Sequence, residues 1–216
     1  MNTLTKMAQG LIGQLKPLPA IGTSIKTKSL PQPDKQGGLP LMQALAKRQS
    51  SRAFNPEPLA PQILSNLLWA AAGVNRDDLG GRTVPSAMNA QEVMVYLALP
   101  DGLYHYDAPT HALHLISATD VRRVTGYQDF VDNAPLDLVF VADFARMKLV
   151  PAAQRAAYAS AAAGAMAQNV YLFCASAGLA TVIRAWLDRD ALGRAMGLNN
   201  EQHVLLAQTV GQPKVD

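Results

Sequence analysis

Between Pro151 and Ala177 the chain reads "PAAQRAAYASAAAGAMAQNVYLFCASA", and Gly178 follows directly. Alanine is the strongest helix former, no proline interrupts the run, and a glycine just past the end supplies a left-handed stop. The run is expected as one helix. At about 1.5 Å of rise per residue it would be about 40 Å long, so the other elements must pack around it. Ala157, Ala161, Gly164 and Gln168 give it a mostly small face, which lets a second helix approach closely.

The elements around it are short. A helix is expected from about Leu39 to Arg48. A second covers "APQILSNLLWAAAG", with Pro61 in its first turn and Gly73 as its stop. "VNRDDLGGRTVPSAMNAQ" reads as a long polar, glycine-rich loop. "EVMVYLALPDGLYHYDAPTHALHLIS" alternates apolar runs with turn residues and predicts three antiparallel strands. "LDLVFVAD", 136–143, predicts a buried strand. "DRDALGRAMG" predicts a helix with Asp188 as N-cap and Gly197 beyond its end, and "QHVLLAQTV" a last strand. The fold class is α+β, a mostly antiparallel sheet surrounded by helices. The proline- and glycine-rich stretch 16–40 has no periodicity, so residues 1–38 are read as an extended N-terminal arm and 39–216 as one domain.

Composition narrows the function. Charged residues make up 16% of the 216 residues and the net charge is +3, with no basic stripe, so nucleic acid is not expected as a partner. No apolar run approaches the roughly 20 residues that span a bilayer, and the first residues make a poor signal peptide. A cytoplasmic protein is expected. The single Cys174 excludes an internal disulfide and a cysteine zinc cage, and reads as a small buried hydrophobe. His105, His111 and His114 cluster in the strand meander, but no carboxylate completes a ligand spacing. They are read as surface polar residues, with no metal site expected.

There is no phosphate-binding GxxxxGK[ST], no GxGxxG after a strand, no HExxH and no GxSxG. Two polar patches are left. "KRQSSRAF", 47–54, places Arg48 and Arg52 four residues apart around Ser50 and Ser51. Guanidinium forks at that spacing suit an anion such as a phosphate, and the alternative is a solvated helix end. "PSAMNAQ", 85–91, places Pro85, Ser86, Ala87 and Asn89 in a tight loop before a strand. Its small residues would let backbone amides approach a flat ligand, and the alternative is an ordinary turn.

These patches, taken in order with "ASAGLATVIR" after the long helix, resemble the FMN-dependent nitroreductase family. Within it the likeness is to the branch that includes thiazoline-oxidising dehydrogenases, through Arg48–Phe54, Leu67–Asn75, Arg82–Ala87, Gly102–Leu113 and the closing "VGQP". The resemblance implies an intertwined homodimer with two FMN sites at the subunit interface. The long helix would form the dimer core, and the 16–40 arm would wrap the partner. It implies that Arg48, Gln49, Ser50 and Arg52 hold the FMN phosphate, ribityl chain and ring edge, with Arg48 on the phosphate. Arg52 would lie beside the part of the ring that gains negative charge on reduction. Pro85, Ser86, Ala87 and Asn89 would line the isoalloxazine, with Ala180, Thr181, Val182 and Ile183 on its other side. The basic C-terminal arm of many members is missing here, which leaves Lys214. The Lys–Tyr base pair of the thiazoline oxidisers has no evident counterpart. The implied activity is ping-pong hydride transfer from NAD(P)H to a nitroaromatic or quinone, with no protein residue required as acid or base. A non-enzymatic flavin-binding or storage protein and a thiazoline-type dehydrogenase are the alternatives.

Overall fold

A computed structural model of the chain describes residues 26–214. The first part of the expected arm and the stretch weighed as a signal peptide lie outside these residues. The helices are α1 (Leu41–Lys47), α2 (Pro61–Ala72), α3 (Ala152–Ala177) and α4 (Arg189–Met196). The strands are β1 (Thr27–Ser29), β2 (Val74–Arg76), β3 (Gly81–Arg82), β4 (Val93–Leu99), β5 (Gly102–Asp107), β6 (Ala112–Ser117), β7 (Leu136–Asp143), β8 (Ala180–Arg184) and β9 (Gln202–Gly211).

Seven strands form one antiparallel sheet in the order β1-β6-β5-β4-β7-β9-β8. The expected meander is β4-β5-β6, and "LDLVFVAD" is the interior strand β7, between β4 and β9 and buried along its whole length. α2 and α3 belong to one core with Val95, Leu97, Leu138 and Phe140 of the sheet. α4 contributes Leu192 and Met196 to a second core with Met94, Tyr96, Val139 and Val141. Alternation along β4 and β7 sends successive side chains to opposite faces, so each strand serves both cores. Each fully buried large side chain contributes roughly 1.5–3 kcal/mol.

The helix ends follow the sequence. Gly178 ends α3 at φ 70, its N–H bonded to the Cys174 carbonyl, and Gly197 ends α4 at φ 68. The Asp188 carboxylate accepts the Ala191 N–H at 2.9 Å. Cys174 is buried on α3, and burial raises its thiol pKa.

Three features go beyond the sequence reading. The polar stretch after α2 contains the β2–β3 hairpin and a short 3-10 turn at Ala87–Asn89. "ATVIR" is an edge strand, β8. From Lys26 onward the arm lies against its own chain. β1 pairs with β6, Asp34 N–H donates to Asn66 Oδ1 at 2.8 Å, Leu39 N–H donates to Ser176 Oγ at 2.7 Å, and Lys35 sits over the Trp69 ring.

Candidate functional site

Segment 48–52 leaves α1 and runs beside β8. Ser51 N–H donates to the Thr181 carbonyl at 2.9 Å. The Tyr171 hydroxyl, on the buried face of α3, accepts the Ile183 N–H at 3.0 Å and shares a 2.8 Å hydrogen bond with Ser50 Oγ. The Arg48 guanidinium lies 5.3 Å from the centre of the Tyr171 ring. Residues 53–55 pair with the chain's last described residues: Asn55 N–H donates to Gln212 O and Lys214 N–H to Ala53 O. The sheet edge at β8 is thus occupied by the arginine–serine segment, with Lys214 alongside.

This junction borders a cleft of about 470 Å³ lined by Lys47, Gln49, Ser51, Tyr171, Cys174, Gly178, Ala180 and Thr181, among others. Lys47, Arg48 and Arg52 are exposed, and among the described residues neither they nor Lys214 pair with a carboxylate. A larger cleft of about 560 Å³ lies between residues 34–38, α2 and the end of α3, walled by Trp69 and Phe173. Its lining includes none of the residues assigned to the FMN site by the resemblance. The smaller cleft is the better candidate because Lys47, Gln49, Ser51 and Thr181 line it and Arg48 and Arg52 lie in the same segment as its wall.

The 85–89 loop is built separately. Gln91 is its hub. Gln91 N–H donates to Ser86 Oγ at 3.0 Å, and its side-chain amide donates to Gly80 O at 2.7 Å and Asn89 Oδ1 at 3.2 Å. Its Oε1 accepts from Arg82 Nε at 2.9 Å, and Arg82 Nη1 donates to Ala72 O at 2.8 Å. These bonds hold Met88, Asn89 and Gln91 at φ of 53, 53 and 50, a left-handed region that costs energy for side-chain-bearing residues. Within one chain, 48–52, 180–183 and 214 come together, while Gln91 organises the 85–89 loop. Sequence reasoning missed Tyr171 and Gln91. Tyr171 sits in an apolar helical stripe and reads as core. Gln91 closes the "PSAMNAQ" phrase, and its buried amide, beside left-handed Met88 and Asn89, is the signal that identifies it.

The histidines are not surface residues in the way expected. His105 is buried against the Tyr96 ring, and loss of hydration pushes its imidazole down to about 4. His111 donates from Nε2 to Ser65 Oγ, because that hydroxyl already donates to Pro31 O. Its Nδ1 accepts from Tyr106. His114 bonds Thr27 across β1–β6. Among the described residues no three His, Cys, Asp or Glu side chains are grouped to hold a metal. Among them, too, no helix is long and apolar enough to cross a membrane.

Known proteins share this arrangement. The sequence profile of the nitroreductase family matches residues 45–212. A candidate nitroreductase of Methanocaldococcus jannaschii is 33% identical over 161 residues, covering 69% of this chain and 81% of that protein. The crystal structure of a candidate nitroreductase from Ralstonia eutropha superposes with a TM-score of 0.85 at 52% identity, covering 94% of this chain and 96% of the other. The NADPH:FMN oxidoreductase from Vibrio harveyi, solved with NAD+, shares the fold at a TM-score of 0.59 and 20% identity, over 81% of this chain and 69% of that one. The match runs from the end of α1 through β9 and so takes in both the cation segment and the strand it lies on. On that evidence the chain belongs to the nitroreductase family and is an oxidoreductase by membership.

Proposed function

We propose that the protein is an FMN-dependent oxidoreductase that accepts hydride from NAD(P)H and delivers electrons to a small acceptor such as a nitroaromatic or a quinone, in a ping-pong cycle. The observation that carries this reading is the junction of Arg48–Arg52 with β8 through Ser51–Thr181 and Ser50–Tyr171–Ile183. The residues fit FMN. Lys47, Arg48, Arg52 and Lys214 bring four cations that have no carboxylate partner among the described residues, which suits a phosphate dianion. Gln49, Ser50 and Ser51 offer the donors and acceptors that a polyol chain needs. The chain lacks the glycine fingerprint that would seat the second nucleotide of FAD.

FMN, when bound, supplies the two-electron chemistry at its ring. The protein's part is binding and electrostatics. Arg48 holds the phosphate, with Lys214 as a second cation. Arg52 faces the ring edge that gains negative charge on reduction, and a fixed cation there raises the potential. Ala180, Thr181, Val182 and Ile183 line one side of the ring. Pro85, Ser86, Ala87 and Asn89 line the other and come from a second copy of the chain, so the site is shared across a homodimer. Support for the dimer comes from exposed apolar surface: Leu41 and Met42 of α1 are 63% and 75% exposed, and Ala157, Ala161, Gly164 and Gln168 of α3 are all uncovered. The motif phrases support a likeness to the thiazoline-oxidising branch.

Purification with cofactor extraction, sedimentation and steady-state kinetics test the reading. The expected result is a yellow dimer with one FMN per chain and parallel double-reciprocal lines against NAD(P)H and acceptor. Stoichiometric FAD, or colourless protein that ignores added FMN, overturns it. Bound FMN that NAD(P)H leaves oxidised makes the protein a flavin store. A monomer that keeps FMN overturns the shared site.

A further inference from the structure

We propose that Trp186 and Tyr127 form a platform on which flat aromatic electron acceptors dock beside the flavin site; the proposal rests on the FMN reading above. The two rings stand 5.3 Å apart, inclined by 50°, and the residues are 68% and 56% exposed. Large aromatic side chains seldom stay in water without a reason. The chain's other tryptophan, Trp69, is only partly exposed and donates its N–H to Val74 O.

The exposed pair is firmly rooted. Trp186 follows Arg184 by two residues, and the Arg184 guanidinium is buried against Asp137. It donates to Thr125 O at 3.0 Å and to Thr209 Oγ1 at 2.9 Å. The loop from Thr125 to Phe130 wraps this guanidinium so closely that a Cβ on Gly126 would lie 2.2 Å from Nη1. The same loop sets Tyr127 against Trp186 and Phe130 against Phe54, two residues beyond Arg52, at 5.6 Å. One fixed loop therefore links the end of the cation segment to the exposed rings at the end of β8. A pre-ordered aromatic pair loses little side-chain entropy on binding. Its electron-rich faces favour offset stacking with flat, electron-poor rings, and quinones and nitroaromatics have that character.

The experiment uses the FMN-loaded protein with a naphthoquinone and with ferricyanide, which has no ring to stack. In Trp186→Ala the ratio of kcat/KM for quinone to that for ferricyanide is expected to fall about tenfold, the scale of a lost aromatic contact. Trp186→Phe should restore most of the ratio, and Tyr127→Ala should lower it less. Quinone should quench the emission of the wild-type protein more than that of Trp186→Phe. An unchanged ratio in both alanine variants overturns the platform. So does a Trp186→Ala protein that turns monomeric while the wild type is a dimer, because the pair is then a subunit contact. Failure of the wild type to bind FMN would instead overturn the proposed function, and FMN titration reads that separately.

Discussion

The Tyr171 hydroxyl stands 2.8 Å from Ser50 Oγ and 3.0 Å from the Ile183 nitrogen, so one side chain of α3 ties the arginine–serine segment to the edge strand β8. Tyr171→Phe keeps the ring and its contact with Arg48 but leaves the Ile183 N–H without its acceptor. A loss of roughly 1–3 kcal/mol in stability is expected, read as a lower urea midpoint at unchanged slope. FMN affinity should fall with it, whereas Ser50→Ala should weaken FMN binding with a smaller stability loss. A Tyr171→Phe protein with wild-type midpoint and affinity would show that the tie is incidental.

Arg48→Ala and Arg52→Ala should fail differently. Losing a charge-assisted phosphate contact costs roughly 1.5–3 kcal/mol, so Arg48→Ala should weaken FMN binding about ten- to a hundredfold and recover at saturating FMN. Arg52→Ala should lower the midpoint potential and slow reduction by NAD(P)H even when fully loaded. FMN titration, potentiometry and anaerobic stopped-flow measurements distinguish them. The reverse pattern would swap the two roles.

Gln91→Leu removes the hub of the 85–89 loop. Met88 and Asn89 then have little to hold them in left-handed geometry, and amide exchange over 85–91 should speed up. FMN affinity should drop while exchange in β4 beyond Val93 stays slow. Unaltered exchange in the loop would show that backbone bonds alone fix it.

His105 makes stability depend on pH. Burial lowers its pKa from the usual 6.5 to about 4, so between those values the unfolded chain holds the proton and the folded chain does not. Its contribution is complete above about pH 6.5 and is lost as the pH falls toward 4, about 3 kcal/mol at most. Glu92 works in the opposite sense, since burial raises its pKa. The test is therefore a comparison of urea midpoints at pH 7 and pH 4.5 for wild type and His105→Phe. The variant should lose less stability on acidification, and equal losses would exclude His105 as the cause.

Much of the scaffold could be read from local pattern. α3 is visible in its alanine content and in Gly178. The meander is visible because its turns carry "PDG" and "DAPTH" between apolar runs. β8 was hidden because five residues directly after a helix stop give too short a period. The β2–β3 hairpin was hidden because two- and three-residue strands have none. The burial of His105 depends on β5 being buried along its whole length, which only the assembled sheet reveals. At the candidate site, residue type drew attention to Arg48, Arg52 and the 85–89 loop. It could not show that Ser51 meets Thr181, or that Asn55 meets Gln212, since those contacts join segments far apart in the chain.

The contacts that hold segment 48–55 impose an order on synthesis. Ser51 waits for Thr181, made about 130 residues later, and Ala53 and Asn55 wait for Lys214 and Gln212. At roughly 5–20 residues per second the delay on the ribosome is roughly 7–30 s. During it the cations of this segment have no strand to lie on. If the segment holds FMN as proposed, loading would therefore be a late event in the life of the nascent chain. A stalled or truncated product that ends before β8 would carry the cationic segment without the strand that makes it a site.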